Sequence, residues 1–220
     1  MTSSEALVAD AVAALEGYAS DDGGQRVLRT QYLTHLREHD GALFKDGPPA
    51  HLTASCFVLD DAAEQVLLTL HRKGGFWVQL GGHVERGDAS LSAAALREAT
   101  EESGLAGITL LPGPVELHRH QLSAAFGRCL EHLDVAYAAT AGGRPVVSDE
   151  SDDVAWWPVD ALPATAVPDL VTRLPGIVRA VRADQSVRAG PSSRAPSGGA
   201  RPASASAGTG WREASDQPSR

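Results

Sequence analysis

Glu98, Glu101 and Glu102 stand at i, i+3 and i+4 in a stretch whose apolar residues, Leu91, Ala94, Ala95 and Ala99, recur at helical spacing. At about 3.6 residues per turn the three carboxylates share one face, within about 100° of arc. As bare structure this is unfavourable. Like charges so spaced repel by roughly 0.2–0.5 kcal/mol per pair, and the last turn of a helix favours cations. Arg97 can offset part of the charge through Glu101, four residues on. One cation against three anions leaves a deficit that a divalent ion would remove. Carboxylate oxygens are hard donors, so the ion is Mg²⁺ or Mn²⁺. A solvated acidic face is the plain alternative for a Glu-Glu pair alone. The preceding loop weighs against it: Gly81, Gly82, Glu85, Gly87 and Asp88 form a turn that brings backbone carbonyls and further carboxylates toward the helix. Asp88 and Ser90 both suit the N-cap, and Ser103-Gly104 supplies the stop.

These residues resemble the Nudix box, G-x5-E-x7-R-E-U-x-E-E-x-G-U, where U is bulky and apolar. Gly82 matches its first glycine, and Arg97, Glu98, Glu101, Glu102, Gly104 and Leu105 match its second half in register. Asp88 stands where the family has Glu, eight residues rather than seven separate it from Arg97, and Ala99 is a small occupant of the first U position. The extra residue falls where the loop enters the helix and weighs against Asp88 as a site residue more than against the glutamates.

The resemblance implies hydrolysis of a nucleoside diphosphate linked to another moiety, by water attack at phosphorus. It also implies that Gly82 supplies a carbonyl ligand, that Glu98, Glu101 and Glu102 bind metal, and that Arg97 orients a glutamate. The general base is Glu98 or an acid from a later loop: Glu150, in SDESDD, is the best candidate, ahead of Asp149 and Asp134. Substrate contacts are sought at His83, directly after the glycines, at Arg72, and at Trp77 among the aromatics Phe76, Tyr137, Trp156 and Trp157. His118 and His120 alternate on a strand and face one way. Cys129 and His132 have a C-x2-H spacing, but no second pair accompanies them, which argues against zinc.

Subgroup markers leave the substrate open. His120 occupies the place of the proline of ADP-ribose hydrolases, and Gln121, Leu122 and Ser123 that of the tyrosine of diadenosine polyphosphate hydrolases. Leu67, Leu68, Thr69 and Arg72 match only the start of a coenzyme A hydrolase signature. Two other readings share the fold: a nucleotide-sensing module without turnover, and an isopentenyl diphosphate isomerase-like enzyme. The intact set of box glutamates favours hydrolysis over both.

The chain of 220 residues is 43% apolar with a net charge of −9 and a pI near 5.3. That balance disfavours duplex nucleic acid and anionic membrane as partners, so a polyanionic substrate needs a metal to bridge it to an acidic site. Two cysteines are too few for a disulfide framework. No run approaches the roughly 18 residues of a membrane span, and the N-terminus does not read as a signal peptide, so the expected location is cytoplasmic.

Helical spacing over 4–18 and 25–38 predicts an N-terminal leader, residues 1–48, packed as a pair on the domain. Strands are predicted at 52–59, 65–71, 76–80, 108–111, 115–117, 133–139 and 154–157, with a closing helix at 168–183. Strands before and after one central helix imply a mixed sheet between helices, in agreement with the α/β/α sandwich that the resemblance implies for residues 50–183. From 185 to 220 Ser, Ala, Gly, Pro and Arg dominate, and the segment reads as a disordered tail.

Overall fold

Ala50–Leu59 (β1) is buried along nearly its whole length, as a strand covered on both faces must be. In the computed structural model, which describes residues 2–122, 127–148 and 151–189, β1 is the centre of a mixed sheet. It pairs in parallel with Glu131–Thr140 (β7) from Ala50↔Glu131 to Leu59↔Thr140. On its other side it pairs antiparallel with Gln65–His71 (β2) and Leu80–His83 (β4). β2 carries Phe76–Val78 (β3) and Ser151–Pro158 (β8), while β7 carries Thr109–Leu110 (β5) and Glu116–Gln121 (β6).

The two faces divide by the alternation of strand side chains. Ala54, Cys56 and Val58 of β1 join Leu133, Val135 and Tyr137 of β7 in one core. That core is closed by three helices: Ser3–Gly17 (α1), Gly23–Glu38 (α2) and Leu91–Ser103 (α3). Phe57 and Leu59 join Ala136 and Ala138 on the opposite face, under Leu170, Leu174, Ile177 and Val181 of Leu170–Ala189 (α4). This is an α/β/α sandwich, as the resemblance implies, preceded by a helical N-terminal segment.

The leader is part of the packing. Leu7, Ala11, Leu15, Tyr32 and Leu36 are buried in the same core as α3. The cap of α1 is Thr2, because Thr2 and Glu5 complete a reciprocal capping box. On α2, the Gln25 amide mimics a strand: its Nε2 donates to the Leu117 carbonyl at 3.1 Å, and its Oε1 accepts from the Leu117 N–H at 2.8 Å.

Several bounds differ from the periodicity reading. α4 runs to Ala189, so residues 185–189 are helical; Gln185 donates to the Asp61 carbonyl and Arg188 pairs with Asp184, tying the last turns down. The remainder of the Arg-containing tail lies outside the described residues. β6 extends to Gln121 and β8 begins at Ser151, since both are held by long neighbours in β7 and β2. Among the described residues, no helix is long and apolar enough to cross a membrane.

Candidate active site

The geometry starts from two glycines on β4. Gly82 lies opposite Ala54 and Gly81 opposite Ser55. A Cβ on Gly82 would stand 2.6–2.7 Å from all three atoms of the Glu98 carboxylate, so the carboxylate rests directly against bare backbone. Gly81 has φ +150°, and a Cβ there would come within 2.6 Å of the Ser55 Cα. Only glycine fits at Gly81, while at Gly82 a side chain would displace the Glu98 carboxylate. Glu102 reaches the same strand: its Oε2 accepts from the Gly81 N–H at 2.9 Å.

α3 presents the acids. Ser90 is its cap, accepting from the Ala93 N–H at 2.9 Å, and Gly104 closes it in the left-handed conformation at φ +63°. The apolar stripe of Leu91, Ala94, Ala95 and Ala99 is fully buried, which fixes the rotation of the helix. Glu98 is then buried, Glu102 half-buried and Glu101 exposed.

Arg97 ties the loop to the helix. Its Nε and Nη2 donate to the two oxygens of Asp88 at 2.9 and 3.1 Å. Its Nη1 donates to Glu98 Oε1 at 3.0 Å and Glu101 Oε2 at 3.1 Å, and Nη2 also reaches the His83 carbonyl at 3.0 Å. Asp88 is thus neither the helix cap nor an acid facing the glutamates. It is a buried clamp, which also accepts from the Glu85 N–H at 2.8 Å. Burial raises its pKa, but the Arg97 hydrogen bonds and the Glu85 N–H outweigh this and hold the carboxyl below its usual range. The Asp88 hydrogen bond, in turn, holds Arg97 protonated more firmly than usual.

Three carboxylates on one helix face, and the backbone of the glycine against which one of them lies, could offer hard oxygen donors. That chemistry fits a Mg²⁺- or Mn²⁺-class ion. Over residues 49–177 the chain matches the family model of the NUDIX domain.

The chain belongs to the Nudix family.

The matched span covers the sheet, α3 and the first part of α4. Its fold is similar to that of a C. elegans Ap4A hydrolase, at 16% identity and TM-score 0.50 over 60% of this chain and 98% of that one. A NUDIX-family hydrolase from Clostridium perfringens aligns at 26% identity, TM-score 0.49, over 58% of this chain and 95% of that chain. The E. coli dihydroneopterin triphosphate pyrophosphohydrolase aligns at 15% identity, TM-score 0.48, over 60% and 95%. No curated protein matches the chain.

Of the residues singled out in this Nudix-family chain, the fold brings together Gly82, Arg97, Glu98, Glu101 and Glu102. Glu150 and Asp149 lie outside the described residues. Asp134 is buried within the sheet, where Thr53 and Ser55 donate to its two oxygens at 2.9 and 2.5 Å, so it is committed to structure and not placed as a base. Trp77 is a core residue: it is 8% exposed, with its ring edge-on to Trp157 at 5.4 Å. A base has no open face there to stack on. Arg72 is occupied by Asp152 at 3.1 Å and the Ser151 carbonyl at 3.2 Å. His118 meets Asp169 at 3.0 Å. His83 points away from the glutamates, into a group that linear spacing missed: His51, His83, Cys129 and His132. The C-x2-H spacing of Cys129 and His132 was the only local sign of it; the second pair arrives from β1 and β4.

Proposed function

We propose that this enzyme hydrolyses the diphosphate linkage of a small nucleoside diphosphate derivative, by metal-dependent attack of water at phosphorus. The observation that carries the reading is the contact of the Glu98 carboxylate with the Gly82 backbone, beside Glu102 bonded to the Gly81 N–H. Glu98, Glu101, Glu102 and the Gly82 carbonyl would hold Mg²⁺ or Mn²⁺. When bound, the ion neutralises diphosphate charge and lowers the pKa of a coordinated water.

The chain's own residues do the rest. Arg97 holds the Glu98 and Glu101 carboxylates in place through charge-assisted hydrogen bonds. Asp88 fixes the Arg97 plane, so the guanidinium cannot swing toward substrate. Glu98, the buried acid of the three, accepts the proton from the attacking water. The exposed Glu101 completes the acidic face.

The test is turnover of a panel of nucleoside diphosphate derivatives with Mg²⁺, with Mn²⁺ and with EDTA, with product identification. Cleavage at the diphosphate, abolished by EDTA, is the expected result. Nucleotide binding without turnover on any panel member would overturn the reading in favour of a sensing module.

A further inference from the structure

Four side chains with nitrogen and sulfur donors converge on the other side of β4. One donor atom from each of His51, His83, Cys129 and His132 lies within 4.8 Å of all the others. His51 and His132 are register partners across the parallel β1–β7 pair, and His83 stands opposite Thr53 on β4. The three rings lie 5.1–5.3 Å apart centroid to centroid, and the Cys129 sulfur is 3.9 Å from His83 Nε2.

The protonation pattern is that of ligands. His51 is fully buried, and its Nδ1 lies 3.0 Å from the Pro48 carbonyl. A carbonyl can only accept, so Nδ1 carries the proton and Nε2 keeps its lone pair. That Nε2 is buried without a hydrogen-bond partner, and so is Nε2 of His132. Left unsatisfied, such buried atoms are costly. A backbone carbonyl fixing one ring nitrogen while the other faces a shared centre is the usual second-layer arrangement around a metal-bound histidine. The His83 carbonyl is held in turn by Arg97.

We propose that His51, His83, His132 and Cys129 form a zinc-class metal site, separate from the acidic box site. Three imidazoles and one thiolate select Zn²⁺ over Mg²⁺ by donor softness. Bonds of about 2.0–2.3 Å to a tetrahedral ion require donors about 3.3–3.8 Å apart, so small side-chain rotations close the observed set. Binding ionises the Cys129 thiol and releases its proton to solvent. The site is distinct from the glutamates because neighbouring strand residues face opposite ways: Gly82 abuts Glu98, and the next residue, His83, turns to the histidines. A metal there would join β1, β4 and β7 at one point. This inference does not depend on the hydrolytic reading.

Cobalt titration of EDTA-treated, full-length protein tests it without an activity assay. Wild type is expected to take up one Co²⁺ per chain with the intense visible bands of four-coordinate cobalt and a thiolate-to-cobalt charge-transfer band, both removed by Zn²⁺. Cys129→Ser should lose the charge-transfer band and roughly tenfold or more in affinity, with circular dichroism reporting its fold. Glu102→Gln should leave both band sets intact. Wild type without four-coordinate bands overturns the proposal on its own, whatever the variants do. Survival of the charge-transfer band in folded Cys129→Ser, or its loss in Glu102→Gln, overturns it too.

Discussion

Gly82 and His83 are adjacent in β4, yet they belong to different chemistries. On the Gly82 side stand carboxylates from a single helix, spaced so that the sequence itself brings them together. On the His83 side stand imidazoles and a thiol gathered from two further strands and a loop. The first set is hard, anionic and partly open to solvent; the second is softer, uncharged at its histidines and mostly enclosed. One short strand separates them, and its alternation keeps them from mixing. Two donor sets of unlike hardness can therefore lie side by side without competing for one ion, since Mg²⁺ discriminates against nitrogen and sulfur.

The strongest way to break this contrast is to disable one side alone. Glu98→Gln should lower turnover by about 10²–10⁴ while leaving cobalt uptake at the histidines unchanged. Glu150→Gln should stay near wild-type turnover. Steady-state kinetics of both variants on one diphosphate substrate decide it, and a fall confined to Glu150→Gln would move the base to that acid.

Arg97→Ala should act on both sides, since Arg97 holds Asp88, Glu98, Glu101 and the His83 carbonyl together. Removing it strands a buried carboxylate at Asp88, and urea unfolding should show a loss of about 2–4 kcal/mol. Arg97→Lys should recover less than half of that, because an ammonium cannot match the two-point contact.

Glu102→Gln sharpens the contrast by metal type. Without metal the variant should be no less stable than wild type, since one repelling charge is gone. An ion binding only the folded site stabilises by about 2.7 kcal/mol at a hundredfold excess over Kd, or about 5–10 °C in a domain of this size. Thermal melts with Mg²⁺ or Mn²⁺ should show that shift in wild type and little of it in the variant. An undiminished shift would remove Glu102 from the ligand set.

The smallest effect lies in acid. The folded pKa of Asp88 is depressed, so its contribution to stability is present above the ordinary carboxylate pKa, about 3.9. It is lost as pH falls below that toward the folded value. Urea midpoints at pH 6, 4 and 3 should fall more steeply in wild type than in Asp88→Asn, and equal slopes would show that Asp88 does not carry the effect.

The acid side was legible in the sequence because its parts are local. A glycine pair, an arginine and three glutamates within one turn-and-helix unit fix their own geometry through helical spacing and capping. The role of Asp88 was not, because the extra residue before α3 moves it out of line with the glutamates and onto the Arg97 guanidinium. The histidine side was less legible still. His51 and His132 are neighbours only through the parallel register of β1 and β7, strands about eighty residues apart in sequence. No local pattern encodes that register. The closing helix outran its expected end for a similar reason: tertiary tethers at Arg182 and Gln185 hold a segment whose composition alone reads as tail.

The Gln25 amide on α2 has a consequence for the edge of the sheet. β6 is paired on one side only among the described strands, and an open strand edge is a template for another chain. At Leu117, near the start of that edge, both backbone groups are already taken by the side-chain amide of Gln25. An approaching strand would find no ladder to extend through that residue. The helical leader thus closes one rung of that border to strand pairing through a single glutamine side chain.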